Sequence, residues 1–312
     1  MFRIHTFDDF CLWMYVMIDD WYQQASEVGK RSGPAPTTCS DSELLTMVLV
    51  GECVGWQEET ELWLQWRRHA ELFPKLPSLS RLNRRRRQLA PSLQWLHQFI
   101  LSRLAWANDP LLLLDGVPLA VVSRAHAAHA SSEWRVHHAS YGYSHTKRLP
   151  FFGYYVHLLV TCSGVILDWI VTPASTADVV AGDDLLQHTP TPLSERSILA
   201  DKGYTSAALH QRAWTTRGVR LLVLPKRGMR AAALLPLRLR RRFARLRQRV
   251  ETLNSQLVQQ FDIERTSAHS FWGMTTRLRA KLTAHLCCVY YNWLSGASLD
   301  DALHIKHLAF AA

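Results

Sequence analysis

What the chain lacks narrows its reading first. No apolar run approaches the ~20 residues needed to span a bilayer, so no segment inserted in a membrane is expected. The six cysteines, Cys11, Cys39, Cys53, Cys162, Cys287 and Cys288, form no CxxC pair and no finger spacing. They read as reduced and mostly buried. Met1 to Asp9 carry early acids and no signal-peptide pattern, which points to the cytoplasm. There is no internal repeat. Acid is scarce: 26 Asp and Glu stand against 36 Lys and Arg, a formal charge of +10. From Lys202 through Val250 there is no acid at all.

That imbalance favours a polyanionic partner, nucleic acid or an anionic membrane surface. With 48% hydrophobic residues a substantial core can form and global disorder is excluded. Part of the histidine complement clusters at His126, His129, His137 and His138. Either a zinc site or a solvated loop would explain them, and the absence of helical or Cys-paired spacing favours the loop.

The first third reads as helical. Phe7, Phe10, Cys11, Met14, Met17, Ile18 and Trp21 recur at threes and fours, predicting a helix over 7–28. Lys30 to Pro36 is a break. Ser40 and Glu43 form a capping box ahead of an apolar run to about Val54. A helix around Leu62, Trp63 and Trp66 is stopped by Pro74 and Pro77, and another runs from Pro91 to Trp106. Between them, a helix entered through Ser78 carries Arg81 and Arg84-Arg85-Arg86-Arg87. Either it is the groove-entering helix of a helix-turn-helix array or it is the solvated basic face of an ordinary bundle.

From Leu111 the pattern changes. Leu111-Leu112-Leu113-Leu114 suits a strand buried on both faces, and it ends in Asp115-Gly116, where such a strand should emerge. Ligands bind outside the carboxyl ends of strands in α/β sheets. Ser197 to Asp201, followed by Lys202-Gly203-Tyr204, repeats the design. Between the two lie a polar, His-rich loop over 123–148, a hairpin of residues 151–161 and 165–172 turned at Cys162-Ser163-Gly164, and a short helix from Asp178. A helix to Arg217, a strand over 219–225, a basic helix over 237–263 and a last helix over 277–294 follow. The order is strand, hairpin, helix, strand, helix, strand, helix. It predicts an α/β, ribonuclease H-like mixed sheet with flanking helices, preceded by an all-helical N-terminal domain.

Glu251 is the first acid after Asp201, behind ten basic residues between Lys226 and Arg249. It could pair with Arg247 one turn earlier, or point over the sheet edge toward Asp115 and Asp201. Three converging carboxylates repel one another unless a cation neutralises them. Oxygen-only donors suit Mg2+ or Mn2+. Two such ions about 4 Å apart could drive an in-line phosphodiester displacement, and the arginines would neutralise phosphates.

The ordered set Leu114-Asp115-Gly116-Val117-Pro118, Tyr141-Gly142-Tyr143, Gly153-Tyr154 with His157-Leu158, Thr172-Pro173-Ala174 with Asp178, Asp201-Lys202-Gly203-Tyr204, and Glu251-Thr252 with Ser255-Gln256-Leu257 resembles a DDE transposase of a bacterial insertion sequence. The 982 family is the nearest likeness. The resemblance implies a metal-binding catalytic triad of Asp115, Asp201 and Glu251, two Mg2+ or Mn2+ ions, and cleavage and strand transfer of DNA at terminal inverted repeats. It implies a nucleoid-associated protein and a homodimer in the synaptic complex. Expected DNA contacts are Lys147, Lys202, Arg241, Arg245, Arg247, Arg84, Arg85 and Arg87. Arg247 stands four before the Glu, as a wider signature has it, whereas Ala244 and Val258 occupy that signature's Tyr and Lys positions. Expected domains are a DNA-binding domain over 1–108, a catalytic domain over 109–295 and a tail over 296–312. The competing readings are a DNA-binding relic without catalysis and a ribonuclease H-like nuclease acting without specific ends.

Overall fold

The computed structural model describes residues 4–25, 30, 38–144, 147–223, 237–265, 267–298 and 305. The expected break over 31–36, the strand end at Leu224-Pro225 and the basic residues Lys226, Arg227 and Arg230 lie outside them. Two compact units divide the chain: residues 105–255, and residues 1–104 with 256–312.

The first unit is helical. It holds α1 (Phe7–Gln24), α2 (Asp41–Val54), α3 (Glu59–Arg68), α4 (Leu79–Gln88) and α5 (Ala90–Arg103). Ser40 and Glu43 cap α2 reciprocally, and Thr6 and Asp9 do the same for α1, so both helices begin with their orphan N–H groups satisfied. The late helix Phe271–Leu294 packs against α2 and α5 and is buried almost all round. The helix falls within the expected domain of residues 109–295 and belongs to the compact unit that includes residues 1–104. Its apolar residues cover more than one face, which signals a helix surrounded by partners.

A buried ion network sits inside this unit. Glu52 accepts from Arg86 at 2.7 Å and faces the Lys281 ammonium at 3.2 Å. Lys281 also donates to Gln57 Oε1 at 3.0 Å. Arg85 donates to the Cys39 carbonyl at 2.7 Å and pairs with Asp41. Of the expected DNA contacts on α4, Arg84 and Arg87 are exposed, whereas Arg85, like Arg86, turns inward to a carboxylate.

The second unit is built on one six-stranded mixed sheet: β1 (Leu111–Ser123), β2 (Ser140–Ser144), β3 (Leu149–Thr161), β4 (Ile166–Pro173), β5 (Ser197–Ala200) and β6 (Arg220–Val223). β1 lies antiparallel to β3 and parallel to β5, and β5 parallel to β6. β2 and β4 both pair with the other edge of β3, end to end, at 149–153 and 154–160. Helices α7 (Asp178–His188) and α8 (Ala207–Arg217) link the later strands, and α9 (Leu237–Gln259) follows them. Gly218 stops α8 in the left-handed region at φ 62°. This is the expected mixed sheet with flanking helices and a helical N-terminal region, consistent with a ribonuclease H-like domain.

Two local expectations are corrected. Asp115 does not end its strand: β1 runs on through Ser123, because β3 pairs with it along its whole length. The segment after Ser123 is not a plain loop. It holds a 3-10 turn over 124–129, the short helix α6 (Ser132–Val136) and strand β2.

Candidate active site

The parallel pairing of β1 with β5 is short, from Leu111 opposite Ser197 to Leu114 opposite Ala200. The next residues on the two adjacent chains are Asp115 and Asp201. The two carboxylates thus meet because one strand stops where its neighbour carries on. Helix α9 supplies the third side of a cleft of about 40 Å3 lined by Asp115, Asp201, Arg247, Val250 and Glu251. Val250 and Leu253 are buried, while Glu251 is exposed. The helix therefore sets its apolar stripe inward and keeps this acid at the mouth.

Each carboxylate has a distinct setting. Asp115 is half-buried, and desolvation pushes its carboxyl up to about 6. The Gly116 N–H at 2.9 Å and the Asn254 amide at 2.7 Å act against this, and the charge of Asp201 adds to it. Asp201 is 47% exposed and pairs with Arg247, itself 43% exposed, at 3.1 Å. Glu251 lies one helical turn from Arg247, yet the arginine turns across to Asp201.

Asn254 was missed in the sequence. It stands three residues after Glu251, on the same face of α9, and that spacing was its only signal.

Behind the cleft the remaining motif residues form one buried chain. The Tyr204 hydroxyl meets His157 Nδ1 at 2.7 Å, and His157 Nε2 meets the Thr172 hydroxyl at 3.2 Å. A neutral imidazole offers one donor and one acceptor, and burial holds His157 neutral by lowering it to about 4. Tyr204 packs so closely on Gly182 that a Cβ there would lie 2.7 Å from its ring, and a Cβ on Gly203 would collide with Asp178 Oδ2. Thr172, Asp178, Gly203 and Tyr204 thus fix the turn that follows Asp201.

The other expected DNA contacts are scattered. Lys147, Lys202, Arg241 and Arg245 are exposed in the second unit, and Arg84 and Arg87 in the first. Arg249 reaches the Cys162 carbonyl at 3.0 Å and braces α9 on the β3–β4 turn.

Residues 106–287, more than half of the chain, match the model of the transposase DDE domain. The chain belongs to that family. A comparison with curated proteins returned no match. The matched stretch of the transposase begins just before β1, so it contains both aspartates, the buried Tyr204–His157–Thr172 chain and all of α9.

The donor set of this transposase domain fits a hard divalent cation in kind. It is oxygen-only, and Asp115 is a desolvated carboxyl whose ionisation a cation would favour. Among the described residues no three His, Cys, Asp or Glu side chains are already gathered at ligating distance. Asp201 is turned to Arg247 and Asp115 to Asn254. Gathering the acids requires Asp201 to leave a half-exposed ion pair, which is a weak tether in water.

Proposed function

We propose that the chain is the transposase of a bacterial insertion sequence, closest to the 982 family, which binds its element's ends and catalyses metal-dependent DNA cleavage and strand transfer. The observation that carries this reading is the strand register. Leu114 opposite Ala200 leaves Asp115 and Asp201 side by side, with Glu251 lining the same cleft. These three are the proposed catalytic residues, and they would hold two Mg2+ or Mn2+ ions. When bound, the ions would supply Lewis-acid activation of the attacking hydroxyl and stabilise the leaving oxygen of an in-line displacement.

The chain's own side chains have separate tasks. Asn254 and the Gly116 N–H orient the Asp115 carboxylate. Arg247 can swing from Asp201 to a backbone phosphate, since both partners reach solvent. Lys147, Lys202, Arg241 and Arg245 would neutralise phosphates flanking the cleft, making affinity fall with salt. In residues 1–108, the outward Arg84 and Arg87 would contact the element's ends. A homodimer would let two catalytic domains hold two ends together.

The test is strand transfer with the element's own terminal repeats and Mg2+, comparing the parent chain with Asp115→Asn. Cleavage and joining should be lost while end binding stays within about twofold, as expected when only a metal ligand is neutralised. Loss of both together, or of neither, counts against the proposal. Equal cutting of unrelated DNA would favour the nuclease reading.

A further inference from the structure

The Tyr141-Gly142-Tyr143 strand plays no part in the chemistry above, yet it is built to meet something. Tyr141 is 57% exposed and Tyr143 45%, on β2 at the edge of the sheet. Residues two apart on a strand share a face. Gly142, between them, turns to the opposite face, where a Cβ would press on Phe151 and Ala174. The Tyr141 ring stands edge-to-face against Phe152 at 5.2 Å, which fixes its orientation. The Tyr143 carbonyl accepts from the Tyr155 hydroxyl at 2.6 Å, which pins the strand.

The surroundings indicate the partner's charge. Between Asp115 and Asp168 the only acid is Glu133, whereas Arg124, Arg135, Lys147 and Arg148 all lie in that stretch, and all four are exposed. Exposed aromatics beside cations form the platform on which unpaired bases stack, without regard to sequence.

Register ties this platform to the cleft. Tyr141 pairs with Phe152 and Asp115 with Leu158, and cross-strand partners share a face. Phe151, Tyr155 and His157 form ring contacts in series on the other face, so the alternation of β3 is unbroken and Phe152 lies on the face of Leu158. Tyr141, Tyr143 and Asp115 therefore share one face of the sheet. Six to eight residues of strand separate them, roughly 20–27 Å.

We propose that Tyr141 and Tyr143 form a stacking platform for unpaired bases of the DNA whose phosphate occupies the Asp115 cleft. The inference rests on the transposase reading, since it takes the cleft as the place of reaction. A second copy of the chain is the other possible occupant, but the excess of cations in this stretch, four against Glu133, favours a polyanion over a like-charged protomer.

The test uses the full chain and element-end duplexes carrying an unpaired tail, with 2-aminopurine at successive tail positions. Wild type should quench 2-aminopurine most at a narrow run of tail positions, those that reach the tyrosines. Tyr141→Ala with Tyr143→Ala should abolish that quenching and weaken tailed-DNA binding about fivefold or more per stacked base. Tyr141→Phe with Tyr143→Phe should retain both, because stacking needs the ring and not the hydroxyl. Affinity for a fully paired end should not change. Should the double alanine variant fold poorly, Arg148→Gln provides a second reading, lowering the salt slope of tailed-DNA binding by about 1.

Binding of paired ends without position-dependent quenching overturns the platform and leaves the transposase reading standing. Failure of wild type to bind any DNA overturns both. Quenching unchanged in the alanine variant, with an altered oligomeric state by sedimentation, assigns the tyrosines to a protein interface and overturns the proposal.

Discussion

Arg247 Nη1 lies 3.1 Å from Asp201 Oδ1, and not on Glu251, the acid four residues further along its own helix. A guanidinium therefore competes for Asp201 with any cation bound there. Replacing Arg247 with Gln should tighten Mn2+ binding about two- to fivefold, the range expected for a solvent-screened pair. It should also weaken DNA binding and lower its salt slope by about 1. Electron paramagnetic resonance titration of Mn2+ reads the first effect, and binding isotherms at several salt concentrations read the second.

Asn254 holds Asp115 Oδ2 at 2.7 Å without reaching into the cleft as an acid. Under the proposed function it is a positioning residue. Asn254→Ala should lower metal affinity or strand-transfer rate by about 10- to 100-fold, as loss of a ligand's supporting hydrogen bond does. End binding should be unchanged. Equal activity of the two proteins would show that Asp115 needs no such support.

Glu52 is buried between Arg86 and Lys281. Removing the shared partner leaves two cations in the core. Glu52→Ala should cost about 3–5 kcal/mol, the range for breaking a buried pair from one side. Urea denaturation followed by helical circular dichroism measures it. A loss below about 1 kcal/mol would mean that water reaches the pair.

Burial lowers His157 to about 4 and His285 to about 3. Each ring stays neutral in the native state, while the unfolded chain takes up protons below about 6.5. The unfolded state then binds more protons, so stability that is complete above pH 6.5 is lost as pH falls toward those values. For His157 alone about 2 kcal/mol should be gone by pH 5. Urea midpoints at pH 7.5 and 5 should differ less in His157→Asn than in the parent chain. Identical pH slopes would mean that the imidazole is already charged or already wet.

Much of this architecture was legible in the residues. Leu112, Leu113 and Leu114 before Asp115, the stripe Val250, Leu253 and Leu257, and the Ser40–Glu43 cap all do in the fold what their patterns state. What escaped was information held by partners. That β1 continues past Asp115 depends on β3, which pairs beyond the point where β5 stops. The inward turn of Arg85 and Arg86 cannot be read from the arginine run, because nothing local shows that Asp41 and Glu52 wait inside. Strand β2 hid in a polar, His-rich stretch, since a short edge strand exposes one whole face and has little apolar alternation to display. Asn254 escaped because an amide near an acid is common, and only the crossing of α9 over β1 gives it a role.

The claim on which all of this depends is that Asp115, Asp201 and Glu251 bind the same divalent cations. Iron-directed backbone cleavage tests it most directly: Fe2+ replaces Mg2+, ascorbate and peroxide generate radicals at the bound ion, and the fragments are mapped by mass spectrometry. A shared site should give cuts near all three positions of one chain, suppressed by excess Mg2+ and lost together in Asp115→Asn. Cutting near only one of them, or cutting that neither Mg2+ nor Asp115→Asn changes, would contradict it.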